Sequence, residues 1–539
     1  MAEIRPNRGP RFHRRRDGEH DSRQPCRICH TPPDVLADTN HWETVIAHEV
    51  AHHWFGNLVT AESWSNLVVN EAFANYAEYL WMEHKHGIDD ADFHLLQKAR
   101  EYHNHPADFA KRAVRFGYED KEDMFDKVSY NKGGMILHML RNYLGDEAFF
   151  EGIGHFLRRH EFGTAEVHDI RRAFEKVSGK DLNWFFNQWF FGYGHPLVKA
   201  ETRYDAARQT LAVHIVQQQD SSALFEFPLE IDVYEAGSYQ RHKVWVEAKK
   251  ENVFTFAAGK KPDLTDIDPR GVILMKELAE KTKEEYLFQY RNAKSLKSRY
   301  QAVSFAAANN NKAILLAAAD DPCHHIRIKA LTDLPADILS RSELSTIANI
   351  VKSDPNNLVK SAGMWTLAST QDKRYLPLFE QGLAICSASV RNAALNGIAA
   401  INPEKAKNFL LQSSPEDMTS DQLVELAPTI VRHRMTKYLE RLMGNLIYYP
   451  FIEKENPQKA AVFREGYQWA MSIDKTALVE KTVHPFREMK PYLNDDKTTR
   501  NLILKVLDDG LKIKKGLPET PSAREQVRLL RETMEFINN

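Results

Sequence analysis

The stretch VIAHEVAHHWFGN, residues 45–57, decides the fold of the first part of this 539-residue chain. Its residues His48 and His52 lie four positions apart, so an α-helix projects both imidazoles from one face. Two imidazoles placed in this way can hold one Zn²⁺ ion, and Glu49, next to a ligand, can reach a water bound to the metal. The stretch therefore predicts a helix that carries two zinc ligands and a catalytic carboxylate.

Signals for the two ends of this helix flank the histidines. Asn40 followed by Glu43 is typical of a helix N-cap with a carboxylate at the third helical position. Gly56 is a natural stop and predicts that the helix ends after Phe55.

A catalytic zinc ion needs a third protein ligand and an open position for water. Glu71, in the segment NEAFANYAEY, has the right chemistry and lies nineteen residues after His52 on the next predicted helix. The two histidines alone form a weak motif, because such pairs occur by chance on the surfaces of unrelated proteins. The Asn-Glu pair inside an aromatic helix makes the pattern specific. The sequence therefore predicts one zinc ion held by His48, His52 and Glu71.

Composition narrows the class of protein. The chain has 43% hydrophobic and 27% charged residues and a net charge of −2, so it gives no general argument for binding nucleic acid or a membrane surface. Four cysteines (Cys26, Cys29, Cys323 and Cys386) are too few for a disulfide framework. No run approaches the roughly 18 apolar residues of a membrane span, and no apolar segment of a signal peptide follows the N-terminal charges. We therefore expect a cytoplasmic chain that binds neither nucleic acid nor a membrane. The sequence makes no prediction of its oligomeric state.

The periodicity of apolar residues divides the chain into four parts. Residues 1–40 form an irregular basic arm, and residues 41–196 show helical spacing with many aromatic residues. Residues 197–277 alternate apolar and polar side chains, as in LAVHIV and FPLEIDV with the turn EAGS, and predict a small β-sandwich. Residues 278–539 return to helical spacing, so the predicted fold is multidomain and mainly α.

The last part contains a repeat. The segments HIRIKALTDL, LVKSAGMWTL and SVRNAALNGI each combine an aliphatic residue, a base and an alanine-rich apolar stripe. Ile326, Val359 and Val390 occupy equivalent positions, 33 and 31 residues apart. That period with paired helices predicts a HEAT-like α-solenoid, and an irregular helical bundle is the alternative.

The sequence around the zinc motif resembles the M1 family of zinc aminopeptidases, the gluzincins. HEVAHHWFGNLVT followed by SWSNLVVNEAFANYAEY carries the resemblance, and SYNKGGMILHML contains Tyr130 at the place of the family's tyrosine. LNWFFNQWFFGYGHPLV resembles the usual end of the catalytic domain, and the β-sandwich and helical part follow in the family's order. The resemblance covers about residues 41–539 and implies the helical part of a thermolysin-like catalytic domain in residues 41–196.

The resemblance also implies a reaction, the hydrolysis of peptide bonds that releases N-terminal amino acids from peptides. Glu49 is expected to take a proton from the attacking water and pass it to the leaving amine. Tyr130 is expected to donate a hydrogen bond to the developing oxyanion. The alternative for Tyr130 is a packed aromatic residue at a helix start.

Other residues with suitable chemistry are weaker candidates. His53 is expected to point away from the metal, and His103 and His105, close to Pro106, are expected in a loop. The Cys-His-His run at Cys323 begins a solenoid helix without further ligands at metal spacing, which favours a structural role. The aromatic run WFFNQWFFGY favours packing in the core and at a domain interface.

The basic arm departs from the family pattern. Members of the family bind the substrate's free amino group with the Glu of a G-x-M-E-N strand ahead of the zinc helix, where this chain has RRRDGEHDSR, and their preceding β domain is missing here. Codons for Arg15 to His20 can be chosen so that a neighbouring frame spells Gly-Ala-Met-Glu-Asn. We therefore interpret residues 1–36 as a frame-shifted translation, which the nucleotide sequence tests. The run Cys26-Arg-Ile-Cys29-His also fits a haem attachment pattern, and the arginines fit a nucleic-acid-binding arm, but nothing else in the sequence supports either.

Two classes of function follow from these features. The leading hypothesis is a zinc metallo-aminopeptidase that is impaired without the β domain and the amine anchor, with apolar surface exposed where that domain packs in the family. The alternative is a non-catalytic peptide- or protein-binding fragment with a vestigial zinc site. The intact set His48, Glu49, His52, Glu71 and Tyr130 argues against the alternative. The same site could also hydrolyse a different substrate, such as an epoxide.

Overall fold

The computed structural model describes residues 31–40, 42–219, 223–235, 237–278, 280–493 and 496–538. Residues 1–30 of the basic arm, with Cys26 and Cys29, lie outside these ranges. The frame-shift interpretation of the arm therefore stays a prediction.

A first group of helices and turns precedes the sheets. The helices are α1 (Pro33–Leu36), α2 (Trp42–Ala51), α3 (Val68–His86), α4 (Ile88–His103), α5 (Gly133–Leu144), α6 (Asp146–His160), α7 (Val167–Ser178) and α8 (Asn183–Trp189). Strands β1 (Val59–Ala61) and β2 (Gly163–Ala165) pair in parallel and join the segment after α2 to the segment before α7. A π-helical turn over Val128–Lys132 leads directly into α5.

Helix α3 lies at the centre of this group and contacts α2, α4 and α5. Two glycines at the start of α5 allow the close approach of that helix. A Cβ on Gly133 would lie 2.7 Å from the Cβ of Ala72, and a Cβ on Gly134 would collide with the amide of Asn75. The π-helical turn is thereby held directly beside α3.

The seven strands that follow form two sheets. They are β3 (Leu197–Asp205), β4 (Thr210–Gln217), β5 (Phe227–Glu235), β6 (Ser238–Val246), β7 (Glu251–Ala257), β8 (Leu264–Ile267) and β9 (Lys276–Leu278). One sheet has the order β7-β4-β3-β9 and the other the order β6-β5-β8. Strands β5 and β6 form a hairpin in which Glu235 pairs with Ser238, where the sequence predicts a turn. Alternation predicts these strands well because β4 buries Leu211, Val213 and Ile215 on one face.

The remainder of the chain is helical. Its helices are α9 (Lys283–Asn292), α10 (Leu296–Ala308), α11 (Lys312–Ala318), α12 (His324–Thr332), α13 (Arg341–Ser353), α14 (Asn357–Ser369), α15 (Leu376–Gly382), α16 (Ala388–Ile401), α17 (Pro403–Gln412), α18 (Ser420–Arg432), α19 (Leu439–Leu446), α20 (Pro457–Met471), α21 (Thr476–Met489), α22 (Lys497–Lys515) and α23 (Pro521–Asn538). Helix α14 contacts both α12 and α16, and the repeat residues Ile326, Val359 and Val390 are fully buried near the starts of these three helices. This arrangement agrees with the repeat, while the assignment as a HEAT-like solenoid stays a prediction.

Buried apolar residues form two clusters. The first extends from Phe55 to Met275 and joins the first helices to both sheets, and the second extends from Tyr286 to Ile537. The aromatic run WFFNQWFFGY belongs to the first cluster, where the ring of Trp184 lies edge-on to Trp245 of β6 with centroids 5.0 Å apart. Its predicted role in the core is confirmed, and its role at a domain interface stays a prediction. The domain bounds 41–196, 197–277 and 278–539 stay predictions.

Two further features bear on the expectations from composition. Among the helices that the structure describes, none combines the length and apolar character needed to cross a membrane. Cys323 is buried, Cys386 is exposed, and both are free thiols.

Candidate metal centre

Helix α2 begins as its sequence predicts. The backbone N–H of Trp42 donates to Oδ1 of Asn40 over 3.3 Å. The Glu43 carboxylate turns to the far end of α3, where it accepts hydrogen bonds from Trp81 Nε1 at 2.6 Å and His86 Nε2 at 3.1 Å. These contacts fix the start of α2 against the end of α3.

The end of α2 differs from the prediction. The helix ends at Ala51, earlier than Phe55, and a turn follows. In that turn the backbone of Gly56 lies close to His52, because a Cβ on Gly56 would come within 2.9 Å of the carbonyl oxygen of His52. The turn therefore needs a glycine at this position. The backbone N–H of His52 still donates to the carbonyl of His48 at 3.3 Å. The two imidazoles therefore keep the spacing of a helical turn.

The structure brings the three predicted metal ligands together. Nε2 of His48 lies 3.3 Å from Oε2 of Glu71, and Nε2 of His52 lies 3.6 Å from the same oxygen. The ligand atoms of the three residues all lie within 4.8 Å of one another. Tetrahedral ligands at the usual zinc bond lengths of about 2.0–2.2 Å stand about 3.3 Å apart. The residues therefore fit a zinc ion in composition and in spacing.

Hydrogen bonds orient both imidazoles for metal binding. Nδ1 of His48 lies 2.9 Å from Oε1 of Glu78, and Nδ1 of His52 lies 2.9 Å from the carbonyl oxygen of Phe55. When both rings are neutral, as metal binding requires, each Nδ1–H donates to its oxygen and the Nε2 that faces Glu71 keeps its lone pair for a metal ion.

Glu78 is a part of the site that the sequence interpretation missed. Its buried carboxylate also accepts a hydrogen bond from Asn75 Nδ2 at 3.2 Å, lies 3.0 Å from Nε2 of His94 and forms an ion pair with Lys98 at 2.8 Å. Burial opposes ionisation, but the hydrogen bonds of His48 and His94 and the charge of Lys98 outweigh it and hold the pKa of Glu78 well below its usual range. The carboxylate is therefore a permanent anion behind His48.

The spacing of α3 was the signal that could have revealed Glu78. Glu71, Asn75 and Glu78 lie at positions i, i+4 and i+7, so one face of the helix presents all three towards α2.

The two carboxylates also change the protonation of His48. Burial disfavours the charged imidazolium, but hydrogen bonds to Glu71 and Glu78 outweigh burial and raise the pKa of His48 to about 9. Since a ligand histidine must be neutral, protons compete with a metal ion for this ring.

Tyr130 lies beside the three ligands. Its ring stacks on the ring of His48, with centroids 5.9 Å apart and planes 11° from parallel. Burial first, and then the negative charges of Glu71 and Glu49, raise the pKa of Tyr130 above its usual range. The hydroxyl therefore keeps its proton and can donate a hydrogen bond.

A π-helical turn that leads directly into α5 carries Tyr130. Oδ1 of Asp126 accepts hydrogen bonds from the backbone N–H groups of Val128 at 3.0 Å and Ser129 at 3.1 Å. The N–H of Lys132 donates to the carbonyl five residues earlier, and its buried Nζ donates to Gly194 over 3.1 Å. Such turns are rare and occur frequently at functional sites.

Glu49 is exposed on α2, next in sequence to His48. A cavity of about 570 Å³ opens beside the site, with His48, Glu78 and Tyr130 in its wall. The site thus combines three candidate metal ligands, an accessible carboxylate, a protonated tyrosine and space for a substrate.

Comparison with known families supports this chemistry. Residues 28–189 match the model of the peptidase family M1 domain, and they include all five predicted site residues. These residues are called the M1 domain below, after the family model that they match.

The chain is similar to named aminopeptidases over about a third of its length. It is 33% identical to aminopeptidase N of Lactococcus lactis subsp. lactis over 192 residues. This match covers 34% of this chain and 23% of that protein. It is also 33% identical to aminopeptidase M1 of Arabidopsis thaliana over 168 residues. This match covers 30% of this chain and 18% of that protein. The chain therefore matches less than a quarter of the length of these curated relatives.

Structural similarity extends beyond the M1 domain. The fold resembles that of the crystal structure of Legionella pneumophila aminopeptidase A in complex with aspartic acid, with a TM-score of 0.61 and 17% sequence identity. The superposition covers 93% of this chain and 67% of that chain. The chain thus shares a mainly helical architecture with small sheets.

Other histidines of the M1 domain lie apart from the metal ligands. His53 is exposed, and His105 is exposed with its Nδ1 donating to the carbonyl of Glu101 at 2.8 Å. The prediction that His103 lies in a loop is wrong, because α4 extends to that residue. The fully buried Tyr102 anchors this last helical turn, and burial lowers the pKa of His103 to about 4.

Helix α2 and the turn after it expose several apolar side chains, while the link of this surface to a covering β domain stays a prediction. Val45, Ile46, Val50 and Trp54, on or just after this helix, are each between 40% and 49% exposed. They lie on the sequence that carries the metal ligands but face away from the core.

Proposed function

We propose that this chain is a zinc metallopeptidase that releases N-terminal amino acids from peptides. The observation that carries the proposal is the convergence of His48, His52 and Glu71, with both Nε2 atoms directed at one carboxylate oxygen. The M1 domain and its similarity to named aminopeptidases support the substrate class.

His48, His52 and Glu71 would hold one Zn²⁺ ion. Bound there, zinc would supply a Lewis acid that polarises the scissile carbonyl and makes a water molecule more acidic. Glu78 would hold His48 in the tautomer and orientation that this role needs.

Glu49 would move the proton of the reaction. Its carboxylate accepts a proton from the attacking water and then gives it to the nitrogen of the leaving amine. Its position beside His48 and its exposure support this role, since both water and substrate can reach it.

Tyr130 would stabilise the negative charge that develops on the carbonyl oxygen. Its hydroxyl donates a hydrogen bond to that oxygen, and its raised pKa keeps the proton in place at neutral pH. Its stacking on His48 supports this role because it places the tyrosine next to the ligand set.

Hydrolysis of amino-acid arylamides, with and without a chelator, tests the proposal. We expect chelator-sensitive hydrolysis by the wild-type chain and about one zinc ion at this site. Glu49→Gln should keep that zinc and lose hydrolysis, whereas His48→Ala should lose both. Glu62→Gln, which changes another exposed carboxylate of the M1 domain, is the matched control and should behave as wild type.

The alternative function, peptide binding without catalysis, predicts a different result. Peptides would then bind while arylamides and peptides stay intact, with or without added zinc. A fully folded, zinc-loaded chain with this behaviour would refute the peptidase proposal.

A further inference from the structure

Three side chains converge where the M1 domain meets the C-terminal helices. Asp90 lies in the first turn of α4, and His324 and His325 form the first turn of α12. We infer that Asp90, His324 and His325 form a second transition-metal site, which binds Zn²⁺ and joins α4 to α12. This site is separate from the proposed catalytic one and does not depend on it.

The donor atoms of the second set are spaced like those of the first. Nε2 of His325 lies 3.1 Å from Oδ1 of Asp90, and Nε2 of His324 lies 3.7 Å from the same oxygen. The ligand atoms of the three residues lie within 4.8 Å of one another, as they do in the His48, His52 and Glu71 set. Both distances lie close to the separation of about 3.3 Å between ligands of tetrahedral zinc. Two imidazoles and one carboxylate are a donor set that suits zinc.

Packing holds the two imidazoles towards the carboxylate. The ring of His325 stacks on Phe93 of α4 with centroids 3.7 Å apart and planes 11° from parallel. The rings of His324 and His325 lie 3.9 Å apart, although neighbouring residues of a helix usually point in different directions. Because both rings converge on one oxygen, the site is formed before any ion binds.

Ion pairs next to the set hold the same two parts of the chain together. Arg299 of α10 lies 2.8 Å from Asp89 of α4 and 3.2 Å from Asp321, just before α12. These ion pairs occupy the carboxylates of Asp89 and Asp321 and hold α4 and the start of α12 together. A metal ion at Asp90 would add a direct link between residues 235 positions apart.

The Cys-His-His run lacks further metal ligands along the sequence, which favoured a structural role. The structure supplies the missing ligand from α4, in a part of the chain far from α12 in sequence. Pattern analysis could not find it, because the ligand belongs to a different helix and a different predicted domain.

Counting bound zinc in the full-length chain after dialysis against zinc tests the inference. We expect about two ions per wild-type chain, and about one after His48→Ala/His52→Ala, which removes the proposed catalytic site. His324→Ala/His325→Ala should also leave about one ion, with arylamide hydrolysis unchanged. If the proposed catalytic function is wrong, the wild-type chain shows no hydrolysis. His324→Ala/His325→Ala should still bind one ion fewer than the wild type in that case. His84→Ala, an exposed histidine on α3, is the control and should retain both ions.

Thermal unfolding provides a second measurement with a conservative change. Zinc should raise the unfolding midpoint of the His48→Ala/His52→Ala chain, and the further change Asp90→Asn should abolish that rise. If the second ion survives His324→Ala/His325→Ala, other residues hold it. The same conclusion follows if Co²⁺ bound in its place shows thiolate charge-transfer absorption. Either result would overturn the inference, and so would a wild-type chain that binds a single ion at saturating zinc and keeps it in His324→Ala/His325→Ala.

Discussion

Glu78 fixes the orientation of His48 without being one of the three ligands. Glu78→Gln would remove the negative charge that accepts the Nδ1–H of His48 and would leave His94 and Lys98 without their shared anion. We expect zinc affinity to fall about 10- to 100-fold, as is usual when such a supporting carboxylate is lost. Competition with a fluorescent zinc chelator measures the change.

Glu83→Gln is the matched control for that prediction. Glu83 lies on the same helix and pairs with Arg141 at 2.8 Å, away from the metal ligands. Zinc affinity should stay at the wild-type value in this variant. Equal losses in the two variants would show that Glu78 acts only through the stability of α3.

Tyr130 should contribute to the rate of hydrolysis and little to zinc binding. Tyr130→Phe removes the hydroxyl but keeps the ring that stacks on His48. We expect kcat for arylamide hydrolysis to fall about 10²- to 10³-fold, the usual effect of losing one oxyanion donor. Zinc content should not change. The exposed Tyr193→Phe serves as control, and a Tyr130→Phe chain with wild-type kcat would remove Tyr130 from the mechanism.

Residue spacing explains which parts of the site could be predicted. His48, Glu49 and His52 lie within one helical turn of sequence, so helical geometry alone places them together. Glu78 depends on His94 and Lys98, which α4 contributes by tertiary packing. No local pattern encodes such a contact.

At the scale of elements, the close approach of α5 to α3 carries a prediction. Gly134→Ala would place a methyl group against the Asn75 amide, which also donates to Glu78. We expect a loss of about 1–3 kcal/mol in the free energy of unfolding, because the two helices must separate. Urea unfolding followed by tryptophan fluorescence measures it.

Gly117→Ala is the control for this change. A Cβ at Gly117 would meet no atom within 4 Å, so the substitution should leave the urea midpoint unchanged. Wild-type stability in Gly134→Ala would show that the helices adjust without cost.

The ends of elements were harder to predict than their presence. The strands were predicted because alternating burial leaves a clear pattern in the sequence. The end of α2 at Ala51 and the π-helical turn at Tyr130 depend on the turn around Gly56 and on Asp126. Those contacts are specific to this structure and leave no periodic signal.

For the molecule as a whole, the buried His138 and the half-buried His103 and His195 predict a dependence of stability on pH. Burial lowers the pKa of His138 and His195 to about 3 and that of His103 to about 4, so all three are neutral when folded. In the unfolded chain they bind protons below about pH 6.5. The unfolded state therefore gains protons as the pH falls, and stability is lost from about pH 6.5 down towards the folded pKa values. Urea midpoints at pH 7.5 and 5.5 should show the loss.

His138→Gln isolates one of these contributions. The slope of the free energy of unfolding with pH should decrease by up to about 1.4 kcal/mol per pH unit, the effect of one proton. His53→Gln changes an exposed histidine and should leave the slope unchanged. Equal slopes in His138→Gln and the wild type would contradict a neutral, buried His138.

The broad architecture could be read from periodicity, since the helix-strand-helix order of the chain is present in the structure. Periodicity could not predict which elements share one cluster of buried apolar residues. Residues Phe55 to Met275 share one apolar cluster, so the first helices and the sheets are packed as a unit. Periodicity shows which face of an element is apolar but not which other element covers it.

The single helix face that bears Glu71, Asn75 and Glu78 limits how this protein can change. Inserting one residue between Glu71 and Glu78 would rotate one carboxylate by about 100° relative to the other. Only one of the two could then face the histidines of α2. The residues between Glu71 and Glu78 are almost all buried as well, so packing limits the sequence of this segment while helical geometry fixes its length.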